Sequence, residues 1–77
     1  MNFTIFPQNG EVIKDRLAII GLTFNDVPAN VNCLQWFGDK GWIEYQSEPT
    51  VSISEIPDWA SNALAAYQAA QAERVTP

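Results

Sequence analysis

The chain has few residues that could do chemistry. It carries one cysteine, nine carboxylates, four basic residues and no histidine. Cys33 could act as a nucleophile only beside a base or in a positive environment, because the thiolate is the reactive form. With no histidine to supply the base, a small half-buried strand residue is the simpler reading. Glu44 opposite Gln35 has the outline of a general acid with a helper, yet a lone carboxylate on a strand is ordinarily a solvated side chain. Asp39 and Lys40 form either a recognition pair or plain turn chemistry. Gly10, Gly21, Gly38 and Gly41 break or close turns, and none opens a phosphate-cradling loop followed by a lysine and a helix. A single thiol without histidine cannot supply four tetrahedral ligands, so no zinc site and no internal disulfide framework is expected. No catalytic, metal or cofactor-binding residue and no small-molecule substrate is predicted. The chemistry left to the chain is binding.

Seventy-seven residues form one domain, residues 1–77. A domain of this size buries only roughly 60–65 % of its unfolded surface, so it usually gains support from a staple or an associated chain. Three tryptophans, two tyrosines and four phenylalanines are many for such a core. Some of these rings are expected at the surface, where they suit an interface. A net charge of −5 with Lys14, Arg16, Lys40 and Arg74 scattered argues against nucleic acid. The carboxylates are spread without a run, which also disfavours imitation of DNA. The start, Met1-Asn2-Phe3-Thr4-Ile5-Phe6-Pro7, has no basic region or cleavage site and is not read as a signal peptide. The longest apolar run, Leu17-Ala18-Ile19-Ile20-Gly21-Leu22, is strand-sized, so no membrane span is expected. The reading is a soluble chain made in a reducing cytoplasm.

Residues 1–53 carry strand signals divided by turns, and residues 57–73 carry one helix. This is an α+β pattern: an antiparallel meander sheet of four or five strands with one C-terminal helix on one face. Phe3 to Phe6 read as a first strand and Pro7-Gln8-Asn9-Gly10 as a turn. Glu11 to Ile13 return, Lys14-Asp15-Arg16 make a polar tip, and Arg16 to Ile20 continue as β-branched strand. Leu22, Phe24 and Val27 make the following connection too apolar for a free linker. A short alternating piece lies around Val51 and Ile53. Pro57 suits the first helical position, and Glu55 and Asp58 place negative charge at the positive end of the helix. Trp59, Ala63, Tyr67 and Ala70, widened by Ala60, Leu64 and Ala66, form the apolar stripe. Asp58, Ser61, Asn62, Gln68, Gln71 and Glu73 mark its wet side. Residues 75–77 are expected to fray.

The central hairpin can be read in register. A four-residue tip at Gly38-Asp39-Lys40-Gly41 sets Phe37 against Trp42, Trp36 against Ile43, Gln35 against Glu44, Leu34 against Tyr45 and Cys33 against Gln46. Alternation then gives a core face of Leu34, Trp36, Ile43 and Tyr45. Cys33, Gln35, Phe37, Trp42, Glu44 and Gln46 share the other face. The expected core is completed by Trp59, Ala63, Leu64 and Tyr67. Phe37 and Trp42 then either meet a partner or lie beneath the segment carrying Leu22, Phe24 and Val27. The candidate partner-binding set is Phe37, Trp42, Gln35, Glu44, Asp39 and Lys40.

The runs Val27-Pro28-Ala29-Asn30-Val31, Leu34-Gln35-Trp36-Phe37-Gly38 and Gly41-Trp42-Ile43-Glu44-Tyr45, followed by Ile56-Pro57-Asp58-Trp59-Ala60 and Ala63 to Ala70, resemble small proteins of tailed bacteriophages. In those, a "P-A-N-V … Q-W … G-x-I-E" hairpin precedes a "P-x-W-A" helix, and similar text occurs in tail-fibre assembly proteins. The resemblance covers residues 27–70. It implies a non-enzymatic structural or assembly role in the tail and fibre region, with a phage tail or tail-fibre protein as partner. A second copy of the chain is a further candidate, and the implied location is the virion after synthesis in the host cytoplasm. The alternatives are a fibre-assembly chaperone that leaves the particle and an acidic effector of a host protein. Such proteins commonly carry a histidine where this chain has Asn32, so no histidine-dependent role is carried over.

Overall fold

The computed structural model describes residues 1–75. Among the described residues six strands form one antiparallel sheet: β1 (Asn2–Phe6), β2 (Glu11–Lys14), β3 (Leu17–Ile19), β4 (Val31–Phe37), β5 (Lys40–Tyr45) and β6 (Val51–Ile53). One α-helix, α1 (Asp58–Val75), follows them. The fold class is the expected α+β, with one strand more than the upper expectation, because Val51–Ile53 joins the sheet beside β5. The order is β3-β2-β1-β4-β5-β6. The sheet is therefore two three-stranded meanders whose first strands, β1 and β4, pair at the centre.

The turns follow from residues that tolerate positive φ. Gly10 (φ 59) closes the 3-10 turn Pro7–Asn9 by donating its N–H to the Pro7 carbonyl. The β2–β3 tip is a two-residue turn at Asp15 (φ 52) and Arg16 (φ 68), so the third strand begins at Leu17 rather than Arg16. Positive φ at both central residues is the turn geometry whose twist matches a hairpin.

The β4–β5 register corrects the expectation. The tip is Gly38-Asp39 alone, so Phe37 pairs with Lys40, Trp36 with Gly41, Gln35 with Trp42, Leu34 with Ile43 and Cys33 with Glu44. Gly38 takes φ 67, which lets it begin a two-residue turn. Gly41 is thus a packing glycine rather than a turn glycine. A β-carbon there would collide with the Gln35 carbonyl oxygen and lie 2.9 Å from Trp36 Cε3, so the bare backbone admits both the neighbouring strand and the indole that crosses it. Trp36 Nε1 reaches on to donate to the Gly38 carbonyl at 2.9 Å. The two registers differ by two residues, an even number, and side chains alternate with a period of two. The faces therefore survive the correction. A bulge between Val31 and Cys33 lets Tyr45 pair with Val31, which points to the core as Leu34 does.

The core comprises Phe3, Ile5, Val12, Ile19, Val31, Leu34, Trp36 and Ile43 from one face of the sheet, closed by Trp59, Ala60, Ala63 and Tyr67 of α1. Tyr45 and Leu64, expected inside, are half-buried and pack against it. The run of alanines keeps α1 slim where it meets the sheet. Pro57 stands one place ahead of the first helical residue and caps it, its carbonyl accepting the N–H groups of Ala60 and Ser61, both at 3.0 Å. Gln71 is half-buried rather than wet. Val75, expected to fray, is the last helical residue, and the expectation for Thr76 and Pro77 lies outside the described residues.

Candidate functional site

With α1 on one face, the sheet presents a second face that no helix of the described residues covers. Alternation and register place its residues in rows across the strands. The middle row runs Ala18, Ile13, Thr4, Gln35, Trp42 and Ser52, from one edge of the sheet to the other. It contains no charge. On one side of it lie Asn2, Phe37 and Lys40, with the Asp15-Arg16 turn at the same end of the strands. On the other side lie Glu11 paired with Phe6, and Cys33 paired with Glu44.

Phe37 and Trp42 meet here as expected, but along the diagonal of the pairing rather than face to face. Their ring centroids are 5.3 Å apart at an interplanar angle of 33°, within the range of a favourable aromatic pair. Phe37 is 43 % exposed, and Trp42 is half-buried. Leu22, Phe24 and Val27 do not serve as their lid. These three pack against the buried core and, with Val31, line a separate hollow of about 350 Å³. Of the two placements left open by sequence, the exposed one is the arrangement of the chain.

The remaining candidate residues divide between strand and tip. Gln35 and Glu44 are half-buried on the open face, whereas Asp39 and Lys40 are exposed. Thr4 Oγ1 lies 3.5 Å from Gln35 Oε1. Trp42 Nε1 donates to Glu44 Oε2 at 3.1 Å, and this bond, ahead of those from Cys33 and Gln35, holds the Glu44 carboxyl below its ordinary range. Stability linked to Glu44 is present above its unfolded pKa and is lost as pH falls through the lower folded value.

Cys33 responds in the opposite sense. Burial first, then its hydrogen bond to Glu44 and that residue's charge, push the thiol up to about 11. The native thiol is expected to resist an alkylating reagent at pH 8 and to react once denaturant opens the sheet, which mass spectrometry of the labelled chain would check. The stability linked to this group is whole below about pH 9 and declines as pH approaches 11. The open face thus holds a protonated thiol beside a carboxylate that also accepts from an indole. Among the described residues no three His, Cys, Asp or Glu side chains gather to hold a metal ion, and no helix is long and apolar enough to cross a membrane.

Comparison with protein-family models, curated proteins and solved structures finds no match.

The sequence reading missed part of this surface. Thr4, Phe6, Ile13 and Ala18 join the hairpin residues only because β1 lies against β4. Their alternation with Phe3, Ile5, Val12 and Ile19 was visible. The strand order that brings them beside Gln35 was not. Together with Asn2, Arg16 and Phe37, Thr4 and Ile13 line a second hollow of about 400 Å³ on the open face.

Proposed function

We propose that this chain is a small structural protein of a bacteriophage tail, retained in the virion by protein–protein binding through the open face of its sheet. The observation that carries the binding reading is the Phe37–Trp42 pair, in which an exposed phenyl ring lies on the half-buried indole of the uncharged row that spans the sheet. Exposed aromatic rings beside adaptable polar groups such as Gln35 and Thr4 are the composition of a protein interface. The short edge strands β3 and β6 add further docking positions by strand addition. The tail location rests on the resemblance carried by residues 27–70.

Quantitative mass spectrometry of purified particles tests the location. A fixed ratio to a tail protein of known copy number is the expected result. Abundance in infected cells with absence from particles would replace the reading with that of a departing chaperone. The surface has its own test in Phe37→Ala with Trp42→Ala. The double variant is expected to keep its circular dichroism and cooperative melt while losing about 30-fold or more in affinity for its partner, as removal of central aromatic residues does. Loss of the fold would assign those rings to the core.

A further inference from the structure

We propose that the occupant of the open face is a second copy of this chain, packed face to face about a two-fold axis that runs across the strands. This inference rests on the open face being a protein-binding surface and names what covers it.

Charge along the strands sets the orientation. On β5, Lys40, Trp42 and Glu44 alternate toward the open face, with the cation at one end, the carboxylate at the other and the indole between. At the acidic end Glu11 lies in line with Glu44, while the turn level with Lys40 carries Asp15 and Arg16 together and is neutral, so Lys40 and Glu44 set the polarity. A two-fold axis laid along the uncharged middle row reverses strand direction and leaves each strand over its own copy. Glu44 of one copy then faces Lys40 of the other, twice, and Trp42 meets its equivalent at the centre. Phe37 falls over the partner's Cys33 and Phe6, and Ile13 over its own counterpart. A two-fold axis parallel to the strands through the middle of the sheet would instead lay β5 over β2 and set Glu44 against Glu11, carboxylate on carboxylate. The surface is self-complementary in one orientation and repulsive in the other, as an isologous contact requires.

The size of the face agrees. Six strands at about 4.8 Å spacing and central strands of five residues or more give a plan area of about 450 Å² per copy. Full overlay of two copies covers about 900 Å² of plan area, and side-chain relief raises the accessible area removed toward the threshold of about 1,000 Å² for a specific interface. Sheets stacked this way keep their strands within about 30° of alignment, which preserves the Lys40–Glu44 pairing. The contact also covers the face that α1 leaves bare, the support by association that so small a domain usually needs.

The test uses two variants, each incompatible with itself. Lys40→Glu places carboxylate against carboxylate in its own dimer, and Glu44→Lys places amine against amine. Sedimentation equilibrium of the purified wild-type chain is expected to show a dimer. Each variant alone is expected to dissociate at least about 10-fold more readily. An equimolar mixture is expected to recover the dimer, because the carboxylate introduced in one variant then meets the amine introduced in the other. Circular dichroism of each variant checks that the fold is intact. A wild-type chain that sediments as a monomer at 100-fold above micromolar concentration would overturn the inference. So would variants that dimerise as the wild type does, or a mixture that recovers nothing. A monomer that still captures a tail protein through Phe37 and Trp42 would leave the binding reading standing and remove only its proposed occupant.

Discussion

Trp36→Ala is expected to lower the free energy of unfolding by about 3–5 kcal/mol, the cost of emptying a buried aromatic site. For a chain of this length the whole stability is about 4–11 kcal/mol, so the variant should be largely unfolded or melt at least about 15 °C lower. The size of the effect follows from what the indole does. Trp36 is buried, stacks on Phe3 with centroids 6.4 Å apart, lies across the backbone of Gly41 and closes on the Gly38 carbonyl. One side chain therefore holds β1, β4 and the β4–β5 tip together. Trp36→Phe retains a ring but loses the indole hydrogen bond, and it should cost appreciably less. Urea titration of both variants beside the wild type makes the comparison. A soluble Trp36→Ala chain with an unshifted, cooperative transition would remove the residue from the core.

The second large effect is expected at Tyr67, 2 % exposed and the largest fully buried side chain. Its hydroxyl lies 2.9 Å from the Lys14 carbonyl and 3.1 Å from that of Leu17. The helix is thereby pinned to the two residues that flank the strained Asp15-Arg16 turn. Tyr67→Ala should cost about 3–5 kcal/mol through the lost ring. Tyr67→Phe leaves the ring and removes the donor, at about 1 kcal/mol net for the bond and more where a carbonyl is left without a partner. The pair of variants separates packing from hydrogen bonding, read by thermal melts. A Tyr67→Phe chain as unstable as Tyr67→Ala would mean that the hydroxyl, not the ring, fastens the helix.

The residues that announced themselves in sequence did so through period. Trp59, Ala63 and Tyr67 at helical spacing made the buried stripe readable, and alternation in β4 and β5 separated Leu34, Trp36 and Ile43 from Gln35, Phe37 and Trp42. Register was less readable, because Gly38 and Gly41 bracket a plausible four-residue tip. What settles it is local packing of Trp36 over Gly41, a contact with no signature in a one-dimensional pattern. The site was legible on the hairpin and illegible beyond it. Gln35 and Trp42 were placed on one face from their own strands, though one row apart, whereas Thr4, Ile13 and Ala18 join them only through the central pairing of β1 with β4. A sequence of strands in order suggests a plain meander, and nothing local marks the point where that order breaks.

The joint between the two meanders bears on how quickly the molecule assembles. Hairpins with turns as short as Asp15-Arg16 and Gly38-Asp39 close within microseconds. The seam between β1 and β4 instead unites Thr4 with Gln35, 31 residues apart, and the Tyr67 hydroxyl must find a carbonyl 53 residues earlier. Such distant closures set the rate of folding because their entropy is lost before their contacts form. Residues 20–30 carry the chain from the outer edge of one half to the first strand of the other, and with Leu22, Phe24 and Val27 packed on the core they bear on both the speed of folding and its final balance. Stiffening that passage at its exposed positions, with Leu22, Phe24 and Val27 kept, would hasten the native state without adding a contact to it.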